Sequence, residues 1–174
     1  IDRPLRPLFP NNYHFETQLI ATVLSTDKEN EADVLAMLGA SAALEISDIP
    51  FSGPIAGVRV GRIDGKFIAN PTLSQQAESD INLIVACNRS GIVMVESGSE
   101  FVSESDMIEA IFFGHTAMQP LIDIQEKLRE SIGVPKRVIA PPVRDEDLVG
   151  KINTEARSRI VEAVLIPTKK ERSA

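Results

Sequence analysis

Residues 31–62 constrain the fold more than any other stretch of this chain. They read EADVLAMLGASAALEISDIPFSGPIAGVRVGR. A helical run over about 31–46 carries Ala36, Gly39, Ala40, Ser41, Ala42 and Ala43. It enters a Pro- and Gly-rich turn and then a strand. Small side chains let a helix backbone approach a sheet closely. The run therefore speaks for packing, and no side chain in it is an obvious catalyst. Ser41 lies in Gly-Ala-Ser, but no strand–turn–helix elbow precedes it, so its expected role is close packing.

Around this unit the pattern alternates between strands and helices. Residues 18–25 (QLIATVLS) are apolar and β-branched and read as a buried strand. Residues 56–63 and 66–70 read as strands joined by a turn at Asp64-Gly65. NPTLSQQAESD reads as a polar connection. Residues 81–87 and 91–96 read as a second hairpin across Asn88-Arg89-Ser90. Residues 104–132 carry the longest helical pattern, with Met107, Ile111, Gly114 or His115, Met118, Leu121, Leu128 and Ile132 at helical spacing. Ser103 with Asp106 marks its start and Gly133 its end. Pro120 inside it predicts a kink or break. Residues 135–144 read as a linker. Asp145, Glu146 and Asp147 open a further helix to about 165. Thr168 with Glu171 begins another. The chain reads as a segment cut inside an element at each end, with no internal repeat.

Composition narrows the function classes. The 174 residues are 43% hydrophobic and 25% charged, which is globular. The formal charge of −7 excludes a surface that grips nucleic acid everywhere but allows a local basic patch. Cys87 is the single cysteine, so no internal disulfide forms and a reducing compartment fits. Within INLIVAC it reads as a small buried hydrophobe. No apolar run is long enough to span a bilayer.

Few residues offer chemistry. His14 and His115 are the only histidines, and His115 on an apolar helix reads as structural. No Cys/His cluster has zinc spacing, and there is no P-loop or GxGxxG. Asp80, Glu96, Glu100, Glu104 and Asp106 are acids at strand and helix ends that could gather, though most acidic domains carry as many. The best candidates are Arg3 and Arg6 in IDRPLRPLFP. A planar guanidinium suits phosphate, and each is followed by a proline that restrains its backbone. The competing reading is a pair of arginines bridging surface carboxylates.

Six strings carry a family resemblance together that none carries alone: IDRPLRPLFP, VLAMLGASAAL, IPFSGPIAGVRVG, FIANPT, IVMVES and IEAIFFGH, in this order. They resemble the bacterial polynucleotide phosphorylases, closely over about 1–133 and more loosely beyond. The resemblance implies an α/β fold of the α+β type, with mixed strands. It implies an RNase PH-like core (ribosomal protein S5 domain 2-like), incomplete at its N-terminus, over 1–133. A linker over 134–144 and the start of an all-helical domain over 145–174 would follow. The family is a cytoplasmic homotrimer, in some settings part of an RNA-degradation complex, and not a membrane protein. It removes nucleotides from the 3′ end of single-stranded RNA, with inorganic phosphate as co-substrate and Mg2+ as cofactor.

The resemblance also implies that this segment is not the catalytic one. In the family a serine-rich turn holds phosphate in a second core. The matching turn here is Asn30-Glu31-Ala32-Asp33, with no serine and two acids. The second core's metal-binding aspartates and lysine align with Gln76, Asn82 and Ile84 here, which cannot replace them. No catalytic or metal residue is therefore expected in this chain. Arg3 and Arg6 are the expected RNA- or phosphate-binding residues. The alternative is a non-catalytic structural or RNA-binding subunit of an exosome-like ring. A stand-alone RNase PH-type enzyme is disfavoured by Gln76, Asn82 and the helical tail.

Overall fold

The computed structural model describes residues 1–141 and 143–172. Pro142 in the expected linker, and Ser173 and Ala174 at the end of the expected helical segment, lie outside them. The chain divides into two units, 1–139 and 140 onward.

The first unit is built on four strands: β1 (Ala56–Ile63), β2 (Lys66–Ala69), β3 (Ile81–Cys87) and β4 (Ile92–Ser99). Their order is β2-β1-β3-β4, and every pairing is antiparallel. The expected mixed strands are not found. Two tight turns return β1 to β2 and β3 to β4, and tight turns join only antiparallel neighbours. At the first, Asp64 (φ 49°) and Gly65 (φ 74°) both take the left-handed conformation that a two-residue hairpin requires. At the second, Asn88 Oδ1 accepts from Ser90 N and Gly91 N.

Each face of the sheet meets a helix. Val58, Val60, Leu83 and Val85 alternate onto one face and bury Ala110, Met118 and Ile122 of α4 (Glu104–Ile132). Ala86 and Ile84 on the other face meet Met37, Ala40 and Leu44 of α2 (Asp33–Ile46), with Leu5 of α1 (Asp2–Leu5). Both long helices bind the residue that leads into β1: Ile55 N donates to Ser41 Oγ, and Gln125 Nε2 donates to Ile55 O.

Three further expectations need correction. Residues 18–25 form no strand; Ile20 and Leu24 are 77% and 92% exposed. Their pattern suits a strand, but no other strand of the described residues lies beside them to complete a ladder. The polar connection contains α3 (Leu73–Glu78), started by a reciprocal capping box between Thr72 and Gln75. Pro120 does not break α4, which runs through it without interruption; the proline is exposed, and the buried residues Met118 and Ile122 flank it.

The expected linker also begins as part of the first unit. Val134 N donates to Ile46 O, and Lys136 Nζ donates to the carbonyls of Leu44, Glu45 and Ser47 at 2.6 to 3.0 Å. Lysine thereby supplies donors for the orphan carbonyls at the end of α2. Burial lowers the Lys136 amine, against the pull of the nearby Glu45 carboxylate. Arg137 grips Asp48 through Nε and Nη2.

The second unit holds α5 (Glu146–Val164) and α6 (Lys169–Arg172). Asp145 caps α5 by accepting from Leu148 N, and Thr168 Oγ1 donates to Glu171. No helix of the described residues is long and apolar enough to cross a membrane.

Candidate functional site

The N-terminal arginines stand on a proline-bounded corner. Asp2–Leu5 forms α1, and RPL continues as one 3-10 turn that ends at Phe9, ahead of Pro10. Pro4 and Leu5 turn inward and anchor the corner, which leaves Arg3 and Arg6 outward, with side chains 66% and 77% exposed. Arg3 Nη1 donates to Glu96 Oε2 of β4 at 2.9 Å. Arg6 forks onto Asp2, with Nε to Oδ2 at 3.1 Å and Nη2 to Oδ1 at 2.7 Å. Both guanidinium groups therefore rest on exposed carboxylates. A cavity of about 560 Å³ opens beside Arg6, walled by Phe9, Tyr13 and Phe15.

The five acids do not gather. Asp80 and Asp106 both bind Arg62, which holds their carboxyls below the usual range. Glu96 binds Arg3. Among the described residues no group of three or more His, Cys, Asp and Glu side chains could hold a metal ion. His115 meets Gln119 on its own helix. Cys87 is fully buried 3.8 Å from Met118 Sδ, and burial pushes its thiol up to about 11, so it is inert.

The positions aligned with the family's two metal-binding aspartates, Gln76 and Asn82, and with its lysine, Ile84, do not fit Mg2+. Gln76 Nε2 donates to Pro71 O, and Ile84 packs into the core. Asn82 Oδ1 accepts from Arg59 Nη1 at 2.5 Å. Arg59 Nη2 lies 2.5 Å from both Glu31 Oε2 and Asp33 Oδ2, which stand just before and at the start of α2. The sequence pattern did not single out Arg59. Its signal was an arginine between glycines two residues away on either side, Gly57 and Gly61, in a strand whose other charged residue is Arg62. That spacing puts all three on one face.

Known proteins share this framework. Residues 53–117, from the turn before β1 into α4, match the model of the 3′ exoribonuclease family, domain 2. A polyribonucleotide nucleotidyltransferase of Desulfosudis oleivorans is 56% identical over 173 residues, 99% of this chain. One from Pelobacter propionicus is 55% identical over 172 residues, and one from Geobacter sulfurreducens 54%. The chain is a relative of the polyribonucleotide nucleotidyltransferases. It spans about a quarter of their length, 24% of the Desulfosudis protein. The fold has a solved likeness in rice (Oryza sativa) Rrp46, with a TM-score of 0.53 at 17% identity, over 59% of this chain and 49% of that one. The RNase PH-like fold expected from the sequence strings is thus borne out, as is the resemblance to polynucleotide phosphorylases.

Proposed function

We propose that this chain is the non-catalytic part of a phosphorolytic 3′→5′ exoribonuclease, serving ring assembly and RNA guidance. The observation that carries the reading is its identity of 51–56% to polyribonucleotide nucleotidyltransferases across nearly its whole length. Residues 1–133 are the later part of the first RNase PH-like core, 134–144 a linker, and 145–174 the start of an all-helical domain. In the complete protein, phosphate attacks the terminal phosphodiester of single-stranded RNA, and a nucleoside diphosphate leaves. Mg2+ and phosphate are held by the other core. The assembly is a cytoplasmic homotrimer that can join an RNA-degradation complex.

Arg3 and Arg6 bind RNA phosphate in this reading. Their present partners do not oppose it. An exposed ion pair is worth little in water, and an RNA phosphodiester presents the same bidentate edge of two oxygens sharing one charge as a carboxylate does. RNA can therefore displace Asp2 from Arg6 at small cost.

The test replaces the matching segment of the Desulfosudis enzyme with this chain and reverses one charge, Arg6→Asp. Single-stranded RNA binding should weaken while the oligomer survives. The slope of log affinity against log salt should become shallower by about 0.7 for each phosphate that the protein ceases to neutralise. Arg6→Ala should do less harm than Arg6→Asp. Unchanged affinity and slope would make the arginines structural, and loss of the oligomer would assign them to assembly.

A further inference from the structure

The pocket at the start of α2 gathers oxygen donors from three places: Glu31 before the helix, Asp33 in its first turn and Asn82 on β3. Two carboxylates and an amide are the donor types a hard divalent cation selects. The pocket instead contains the end of Arg59. Its side chain is only 11% exposed, whereas Glu31 and Asp33 are 37% and 45% exposed. A charge so far withdrawn from water keeps its counter-charges.

The fit is that of a charge in a site rather than of matched hydrogen-bonding edges. In a bidentate arginine–carboxylate pair, two parallel N–H groups meet two oxygens of one carboxylate. Here a single nitrogen, Nη2, faces one oxygen from each of two carboxylates. Glu31 Oε2 makes no aligned hydrogen bond despite that closeness, and Arg59 Nε is buried with no acceptor. The guanidinium contributes its charge and leaves part of its fork unused. The neighbouring glycines let Met37, Pro71 and Ser79 close in on the strand on either side of Arg59. A Cβ on Gly57 would lie 2.6 Å from Met37 Sδ, and one on Gly61 would lie 3.0 Å from Pro71 Cγ and Ser79 Oγ. The backbone of Arg59 is fixed too: its N–H donates to Asn70 Oδ1, and its carbonyl accepts from Asn70 N.

We infer that Arg59 is the resident cation of this pocket, and that its guanidinium excludes a divalent metal ion from a donor set that would otherwise take one. The pocket is also closed to phosphate, since its free charge is that of two carboxylates against one guanidinium.

Mn2+ is the probe, titrated into the 174-residue chain with free Mn2+ read by electron paramagnetic resonance. The native chain should leave Mn2+ free. Arg59→Ala should take up about one equivalent, at least ~10-fold more tightly than the native chain. Adding Glu31→Gln and Asp33→Asn to that variant should abolish the uptake. Equal uptake by native and Arg59→Ala chains overturns the inference, and so does a folded Arg59→Ala chain that binds no more than native. If Arg59→Ala does not fold, Arg59→Met keeps the stem packed and is read by the same outcomes. If neither folds, with or without Mn2+, the guanidinium is needed for itself and the inference fails. No RNA enters the experiment, so its failure leaves the RNA reading untouched.

Discussion

Asp27 is where one carboxylate turns an extended stretch toward α2. Its Oδ1 accepts from the backbone N–H groups of Glu29 and Asn30, and its Oδ2 accepts from the Asn30 side chain. Lys28 between them takes a positive φ of 65°. These bonds favour the ionised form, with the Asn30 N–H foremost, and lower the carboxyl to about 2. The sign follows from linkage. The folded value lies below the unfolded 3.8, so the stabilisation is complete above the unfolded value and is lost as pH falls through about 2. Asp27→Ala should therefore lower stability by a constant amount above pH ~5, and the gap from the native chain should shrink between pH ~4 and ~2. Urea midpoints across that range measure it. A gap that widens on acidification would refute the assignment. Asp27, Arg59 and Lys136 share a property that hid them from a sequence reading. Each acts through main-chain groups or through charges distant in sequence, and neither leaves a periodic mark.

Among the elements, the two central helices answer differently to the same residue type. The small-residue run of α2 suggested that Gly39 allows close approach to the sheet. In the structure a Cβ on Gly39 would meet nothing within 4 Å, whereas one on Gly114 of α4 would lie 3.1 Å from Val58 Cγ1 and from Val60 Cγ2. Gly39→Ala should thus stabilise the chain by about 1 kcal/mol through helix propensity. Gly114→Ala should destabilise it by about 2 kcal/mol through overpacking against β1. Denaturant unfolding of the pair decides, and the same sign for both would refute the packing account. Helix α2, both hairpins and the N-cap of α4 were legible because period, turn chemistry and capping are local. The face that α2 turns to the sheet was not, because Ala40 and Ser41 alternate with Gly39 and Ala43 too evenly for size alone to choose. Residues 18–25 misled for the opposite reason. Their local pattern is strand-like, and a strand exists only where a second one supplies the ladder.

At the scale of the whole molecule, the question is what a chain spanning about a quarter of its relatives' length does unaided. Its family pattern was legible in six strings, and its sheet and the first half of α4 coincide with the matched family domain at 53–117. The chemistry is where the arrangement speaks most clearly. Phosphorolysis needs a place where phosphate and a divalent cation meet the last phosphodiester. The turn that would hold the anion carries Glu31 and Asp33, and both face Arg59. Arg62 donates to Asp80 through Nε and Nη2 and pairs with Asp106 through Nη1, which keeps both carboxyls ionised. Arg3 and Arg6, both exposed, can attract RNA phosphate, but each is paired with a carboxylate, Glu96 and Asp2, and no metal-binding group lies beside them among the described residues. The purified chain should therefore bind single-stranded RNA weakly, with a log–log salt slope of only about 0.7 for each phosphate it neutralises, and release no nucleoside diphosphate from a homopolymer when supplied with phosphate and Mg2+. Product chromatography reads the release, and fluorescence anisotropy at several salt concentrations reads the binding. The decisive control is the chimaera in which this chain replaces the matching segment of the Desulfosudis enzyme. It should turn over, and Arg59→Ala within it should leave the chemical step intact once the RNA is bound. Diphosphate release by the isolated chain, abolished by a substitution within its own residues, would locate a catalytic centre here and overturn the division of labour. An inactive but correctly assembled chimaera would show that the guidance this chain supplies is specific to its own complete protein.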